Sequence, residues 1–195
     1  MDIENIDQEI FALINDQVGL YTWLDNVAAL LVSDYLIPVS FSLILLGLWM
    51  GWKDQNMRDK NQLGVLLSIF GVITANLVVK LLNLIFFRPR PFDAIEVNLL
   101  FYMPTDSSFP SNPTAVAFAL ATGIFQANKT LATILYIMSI LYGLSRVYAG
   151  VCYPSDVISG MFIGILSVVV AKMLFVYGRW IPYSILKQAR YFYIG

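Results

Sequence analysis

Three short stretches hold most of the residues able to do chemistry. "KLLNLIFFRPRPF" (80–92) carries Lys80, Arg88 and Arg90. "FPSNP" (109–113) carries Ser111 and Asn112. "SRVYAGVCYPSD" (145–156) carries Ser145, Arg146, Cys152 and Asp156. Clustered arginines suit a bound anion, because guanidinium groups present paired donors to its oxygens. The bland reading is pairing with Asp93, Glu96, Asp106 or Asp156. A cysteine near arginines can be a reactive thiolate, whereas a carboxylate beside the thiol disfavours that form. The chain has no histidine, so it lacks the commonest general base and metal ligand. Its one cysteine excludes an internal disulfide and a cysteine-based zinc cluster.

The elements that must position these residues are apolar. The 195 residues are 58% hydrophobic and 13% charged, with a mean hydropathy of +0.71. That composition predicts an all-α, polytopic membrane helix bundle rather than a soluble domain. A net charge of −1 gives no sign of nucleic-acid binding. Five spans are expected, at 35–52, 63–86, 111–127, 130–146 and 156–178. Residues 1–34 read as interfacial amphipathic helices, one over 5–17 and one over 21–34 that holds Asp25 and Asp34. Residues 35–178 form the transmembrane bundle and 179–195 a cytoplasmic tail, all in one domain.

Lysine and arginine set the orientation. None precedes Tyr35; loop 53–62 carries Lys53, Arg58 and Lys60, the turn near 128 carries Lys129, and the C-terminal end carries Lys172, Arg179, Lys187 and Arg190. Loop 53–62 and the C-terminus are therefore expected to be cytoplasmic. The N-terminus and loops 87–110 and 147–155 then face outward. Arg88, Arg90 and Arg146 run against this trend and need a local reason. The polar loop "YMPTDSSF" (102–109) is placed to lie over the same site. Trp49, Trp52, Trp180 and "RYFYIG" read as interfacial anchors.

The order and membrane side of the three stretches resemble the type 2 phosphatidic acid phosphatase superfamily, with the small bacterial undecaprenyl-diphosphatase kind most similar. That family carries Lys-x6-Arg-Pro, then Pro-Ser-x-His, then Ser-Arg-x5-His-x3-Asp. The resemblance implies a nucleophilic histidine in the third motif, oriented by the Asp, and a leaving-group acid in the second. It also implies a phosphate cradle of Lys, Arg and Ser. In this chain Arg90-Pro91, Pro110-Ser111, Ser145-Arg146 and Asp156 match. Asn83 stands at the Lys position, with Lys80 one turn earlier. Pro113 stands at the acid position and Cys152 at the nucleophile position.

The resemblance therefore implies a cradle of Arg90, Ser111, Arg146, Arg88 and Lys80 around vestigial positions Cys152, Asp156 and Pro113. Pro113 suits the first turn of a helix, with Ser111 or Asn112 as its cap. Cys152 reads as a small buried residue filling the space of an imidazole, or as a substitute nucleophile. Lys80, inside an apolar span, is expected to face the bundle interior. Arg146 is expected to pair with Asp156. The leading expectation is a catalytically inactive phosphatase-fold protein of the bacterial cytoplasmic membrane. It would be an accessory or structural subunit, or would hold a lipid phosphate at an extracytoplasmic site. The alternative is a lipid (di)phosphate phosphatase using Cys152. Expected partners are membrane lipids and, through a Gly160/Gly164 face and the termini, other membrane-protein subunits. No cofactor or metal is expected.

Overall fold

The computed structural model describes residues 3–33, 35–51, 54–178 and 180–191. Asp34, Trp52, Lys53, Arg179 and residues 192–195 lie outside the described residues, as do the side chains of Trp180 and Arg190. Every element among the described residues is a helix. They are α1 (Ile3–Asn15), α2 (Thr22–Val32), α3 (Leu36–Met50), α4 (Gln55–Ile85), α5 (Pro91–Ala94), α6 (Asn112–Ile124), α7 (Lys129–Tyr148), α8 (Pro154–Tyr177) and α9 (Trp180–Tyr191).

α4, α7 and α8 are long and apolar enough to cross a bilayer, and α2 with α3 makes a fourth if that pair, bent by 52°, is one broken span. α6, expected as a full span, has only 13 residues, about 20 Å of helix. It starts where expected and ends early, at Ile124, because 125–127 form a turn. The loop expected at 53–62 is helical from Gln55: the Asp54 carboxylate caps α4 by accepting from the Met57 N–H at 3.2 Å. Asn61 and Gln62 are buried in that first part of α4. The expected tail forms α9, with Pro182 buried and Ile185 and Leu186 packed on the cluster containing Phe175. Trp49, read as an anchor, packs instead against two core clusters. Asn128 caps α7, its side-chain oxygen accepting from the Leu131 N–H.

α4, α6 and α8 form the centre, with α7 on α6 and α3 on α4. Close approach is made by small residues. A Cβ on Gly160 would overlap the Ser111 carbonyl, and one on Gly164 the Ala115 carbonyl. The Gly160/Gly164 face is thus filled by α6 of the same chain and is not a docking face for a partner.

α1 is arranged opposite to a soluble amphipathic helix. Its buried positions are Asp7, Phe11 and Asn15, at i, i+4 and i+8, while Ile6, Ile10 and Leu13 are exposed. Exposed apolar side chains face lipid, so the polar stripe is free to turn toward the protein. Lys80 is exposed on the outside of α4, next to buried Val79; it does not face the interior as expected. One residue further along a helix is about 100° of rotation, which turns Lys80 away from α6 and α8.

Gly164→Ala should lower the thermal midpoint in detergent and cost roughly 1–3 kcal/mol by overpacking. Gly47→Ala, with nothing within 4 Å of its new Cβ, should be neutral or stabilising by about 0.5–1 kcal/mol.

Candidate active site

The C-terminus of α4, the N-termini of α6 and α8, and the C-terminus of α7 meet at one end of the bundle. Three backbone links fix them. The Ser111 N–H donates to the Asp156 carbonyl at 3.0 Å, Ser108 N–H to the Arg88 carbonyl at 3.0 Å, and Leu100 N–H to the Ala149 carbonyl at 3.2 Å. Pro91, Pro113 and Pro154 each sit in the first turn of a helix, where a missing N–H costs nothing. Ser111 takes the N-cap position of α6, but its hydroxyl bonds the Thr114 hydroxyl at 2.9 Å rather than a backbone N–H.

Arg88 is the centre of the polar network. Its Nη1 donates to Asp156 Oδ1 at 2.6 Å and its Nη2 to Asp7 Oδ2 at 2.7 Å. Nη1 also reaches the Ser155 hydroxyl at 2.8 Å, and the guanidinium lies 4.2 Å from the Tyr153 ring centroid. Burial pulls the Arg88 pKa down, but the Asp156 and Asp7 carboxylates outweigh it and hold it above its usual range. Asp156 Oδ2 accepts from the Ser108 hydroxyl and from the Tyr153 N–H at 3.0 Å. Asp7 also accepts from the Ser155 N–H at 2.9 Å and from its hydroxyl. The partner of Asp156 is thus Arg88, where Arg146 was expected. Arg146 lies in the last turn of α7 and Asp156 in the first turn of α8, and the loop between them is held to Arg90 through the Val151 carbonyl.

Arg90 is 4% exposed and clasps two loops. Nε donates to the Asp106 carbonyl at 3.0 Å and Nη2 to Asp106 Oδ1 at 2.8 Å. Nη1 donates to the Val151 carbonyl at 2.7 Å and faces Cys152 Sγ at 3.6 Å. The charge at the sulfur is therefore a guanidinium, while both oxygens of Asp156 are turned to Arg88, Ser108 and Tyr153. Cys152 is 1% exposed and also packs in an apolar cluster with Val32, Ala149 and Val151. Arg146 is buried, its guanidinium 5.7 Å from the Phe101 ring centroid and 5.8 Å from that of Tyr142.

The structure thus gathers Arg88, Arg90, Ser111, Cys152 and Asp156 at one end and leaves Lys80 out. Asn83 is half-buried there, its Oδ1 without a hydrogen-bond partner. The loop 102–109 does reach the site, through Asp106 and Ser108. Asp7, Asn15 and Ser155 were not foreseen. Asn15 ties α1 to both loops by donating to the Asn98 and Tyr148 carbonyls at 2.9 and 2.8 Å. The available signal was the i, i+8 pair Asp7 and Asn15, which share one helix face with Phe11 between them.

The chain and its fold are similar to those of known proteins. The chain is 32% identical over 162 residues to undecaprenyl-diphosphatase BcrC of Bacillus subtilis, covering 83% of this chain and 80% of the relative. It is 29% identical over 160 residues to an undecaprenyl-diphosphatase of Sulfolobus acidocaldarius, covering 80% and 72%. The crystal structure of Aquifex aeolicus LpxE superposes with a TM-score of 0.69 at 34% identity, over 89% of this chain and 99% of that one. A PAP2-type phosphatidylglycerolphosphate phosphatase from Bacillus subtilis shares the fold, with a TM-score of 0.63 at 22% identity over 88% and 85%. Residues 64–180, running from α4 into α9 and containing both the 109–113 and 145–156 stretches, match the PAP2 superfamily, and the chain belongs to that family as an integral membrane protein.

Proposed function

We propose that this protein is a lipid diphosphate phosphatase of the undecaprenyl-diphosphatase type, with Cys152 as the phosphoryl acceptor. The observation that carries this reading is the 3.6 Å approach of Arg90 Nη1 to Cys152 Sγ. A buried guanidinium beside the sulfur can hold phosphoryl oxygens next to the attacking atom. The carboxylate that would oppose a thiolate is committed to Arg88. The names of the relatives support the same substrate class.

In this reading the Cys152 thiolate attacks the terminal phosphorus. An S–P bond forms, the bridging P–O bond breaks, and the lipid leaves as its monophosphate. Water then attacks the phosphocysteine, breaks the S–P bond and releases inorganic phosphate, returning the sulfur to its starting state. Arg90 and Ser111 serve as phosphate-binding residues and Asp156 as an organiser of the loop that holds Cys152. The distribution of Lys and Arg supports an extracytoplasmic site, with the first turn of α4 and the C-terminus cytoplasmic.

A second reading has a specific observation behind it. Cys152 is 1% exposed, and Pro113 cannot move a proton, so the site could hold a lipid phosphate without turnover, alone or in a membrane complex. Cys152→Ser separates the two. Phosphate release from a polyprenyl diphosphate should fall at least about a thousandfold on loss of the nucleophile. Unchanged release would remove Cys152 from the mechanism.

Asp106 is 61% exposed and occupies the open side of Arg90, where its carboxylate competes with an incoming anion. Asp106→Asn should lower KM for the lipid diphosphate by roughly two- to fivefold, the scale of an exposed ion pair. A raised KM would show instead that Asp106 is needed to shape the site.

A further inference from the structure

We infer that this site cleaves only phosphoanhydrides, such as lipid diphosphates, and leaves phosphomonoesters intact, because Pro113 stands at the acid position and the carboxylates of Asp7, Asp106 and Asp156 are all engaged as acceptors. The inference rests on the phosphatase reading above and narrows its substrate class.

Each candidate acid at the site can be followed in turn. The chain has no histidine. Asp156 accepts from Arg88, Ser108 and the Tyr153 N–H, so both its oxygens are acceptors. Asp7 accepts from Arg88 and twice from Ser155. Asp106 accepts from Arg90. The Ser108 and Ser155 hydroxyl protons point into these carboxylates. Lys80, the one lysine of the three stretches, lies exposed on the outside of α4.

The start of α6 adds nothing acidic. Pro113 opens a cavity of about 190 Å³ whose walls include Ile37, Phe41, Val116, Leu120 and Tyr142. It suits the hydrocarbon of a lipid and offers a departing oxygen no carboxyl, imidazole or ammonium group. The phenol of Tyr142 is the only transferable proton on that wall, and the experiment addresses it.

The chemistry follows from the leaving group. When sulfur attacks a phosphomonoester, the P–O bond breaks to give an alkoxide, a base about as strong as hydroxide and a poor leaving group unless protonated. Without an acid this step forfeits the roughly 10²–10⁴-fold that general acid catalysis contributes. When sulfur attacks the terminal phosphorus of a diphosphate, the leaving group is a lipid monophosphate. Its second pKa is about 6, so it departs as a stable anion at neutral pH and no proton is needed.

The test uses the purified chain in lipid nanodiscs. Inorganic phosphate release is compared between a polyprenyl diphosphate and the matching polyprenyl monophosphate, and across aryl phosphates whose phenols differ in acidity. The expected result is a preference for the diphosphate of at least roughly a hundredfold in kcat/KM. Aryl phosphate turnover should fall steeply as the phenol pKa rises, and Pro113→His should flatten that slope. The wild-type series decides the question even if Pro113→His does not fold. Comparable release from diphosphate and monophosphate, or a flat aryl series, overturns the inference while leaving the phosphatase reading intact. Loss of such monophosphate release in Tyr142→Phe would then name the acid. Inertness toward every substrate, the most activated aryl phosphate included, overturns both.

Discussion

The arginine at position 88 holds the site together, because its side chain joins three separate parts of the chain by paired charges. Its two nitrogens bridge Asp7 on α1 and Asp156 on α8, 2.7 and 2.6 Å away, and its own backbone belongs to the segment after α4. Desolvating such charges is costly, and attraction offsets the cost only when the remaining hydrogen-bonding groups are satisfied. Here they are, by Ser108, Ser155 and the Tyr153 N–H. The same carboxylates sit at the N-terminus of α8, where the helix dipole favours negative charge. The consequence is positional: the loop carrying Cys152 is pinned at its far end by Asp156 and on its near side by Arg90 through Val151.

How much of this could be read from the sequence depended on which solvent each residue meets. α4, α7 and α8 were legible because a long apolar run has few other outcomes in a chain of this composition, whereas the Asp54-capped start of α4 was read as loop. α1 was legible as a helix but not in its direction. In water Ile6, Ile10 and Leu13 would turn inward; against lipid they can face out, leaving Asp7, Phe11 and Asn15 to face the protein. Lys80 failed for a related reason. A long side chain can carry its ammonium toward an interface, so burial in the bundle is not its only escape from hydrocarbon.

The site was legible as a set of types and not as a set of pairs. The resemblance to the phosphatase motifs located Arg90, Ser111, Cys152 and Asp156 and implied the end of the bundle where they meet. It could not say which carboxylate each arginine takes, since pairing depends on the path of loops 86–111 and 149–153. The Gly160/Gly164 motif shows the same limit. Small residues four apart specify that a backbone comes close, and the structure supplies the identity of that backbone, α6.

Two substitutions that look like damage when taken singly become coherent when taken together. A cysteine in place of a histidine nucleophile changes the attacking atom, and a proline in place of an acid changes what can leave. Loss of the acid is severe for an alkoxide and slight for a phosphate, so it restricts the range of substrates more than it removes the reaction. The surroundings agree with such a division of labour. Positive charge is concentrated at the sulfur, where the proposed reaction would bring the phosphoryl group, and the wall at Pro113 is apolar, as the proposed lipid chain would require. Arg90 clasps the 106 and 151 loops whether or not the site turns over, so the support for chemistry is its 3.6 Å approach to the sulfur.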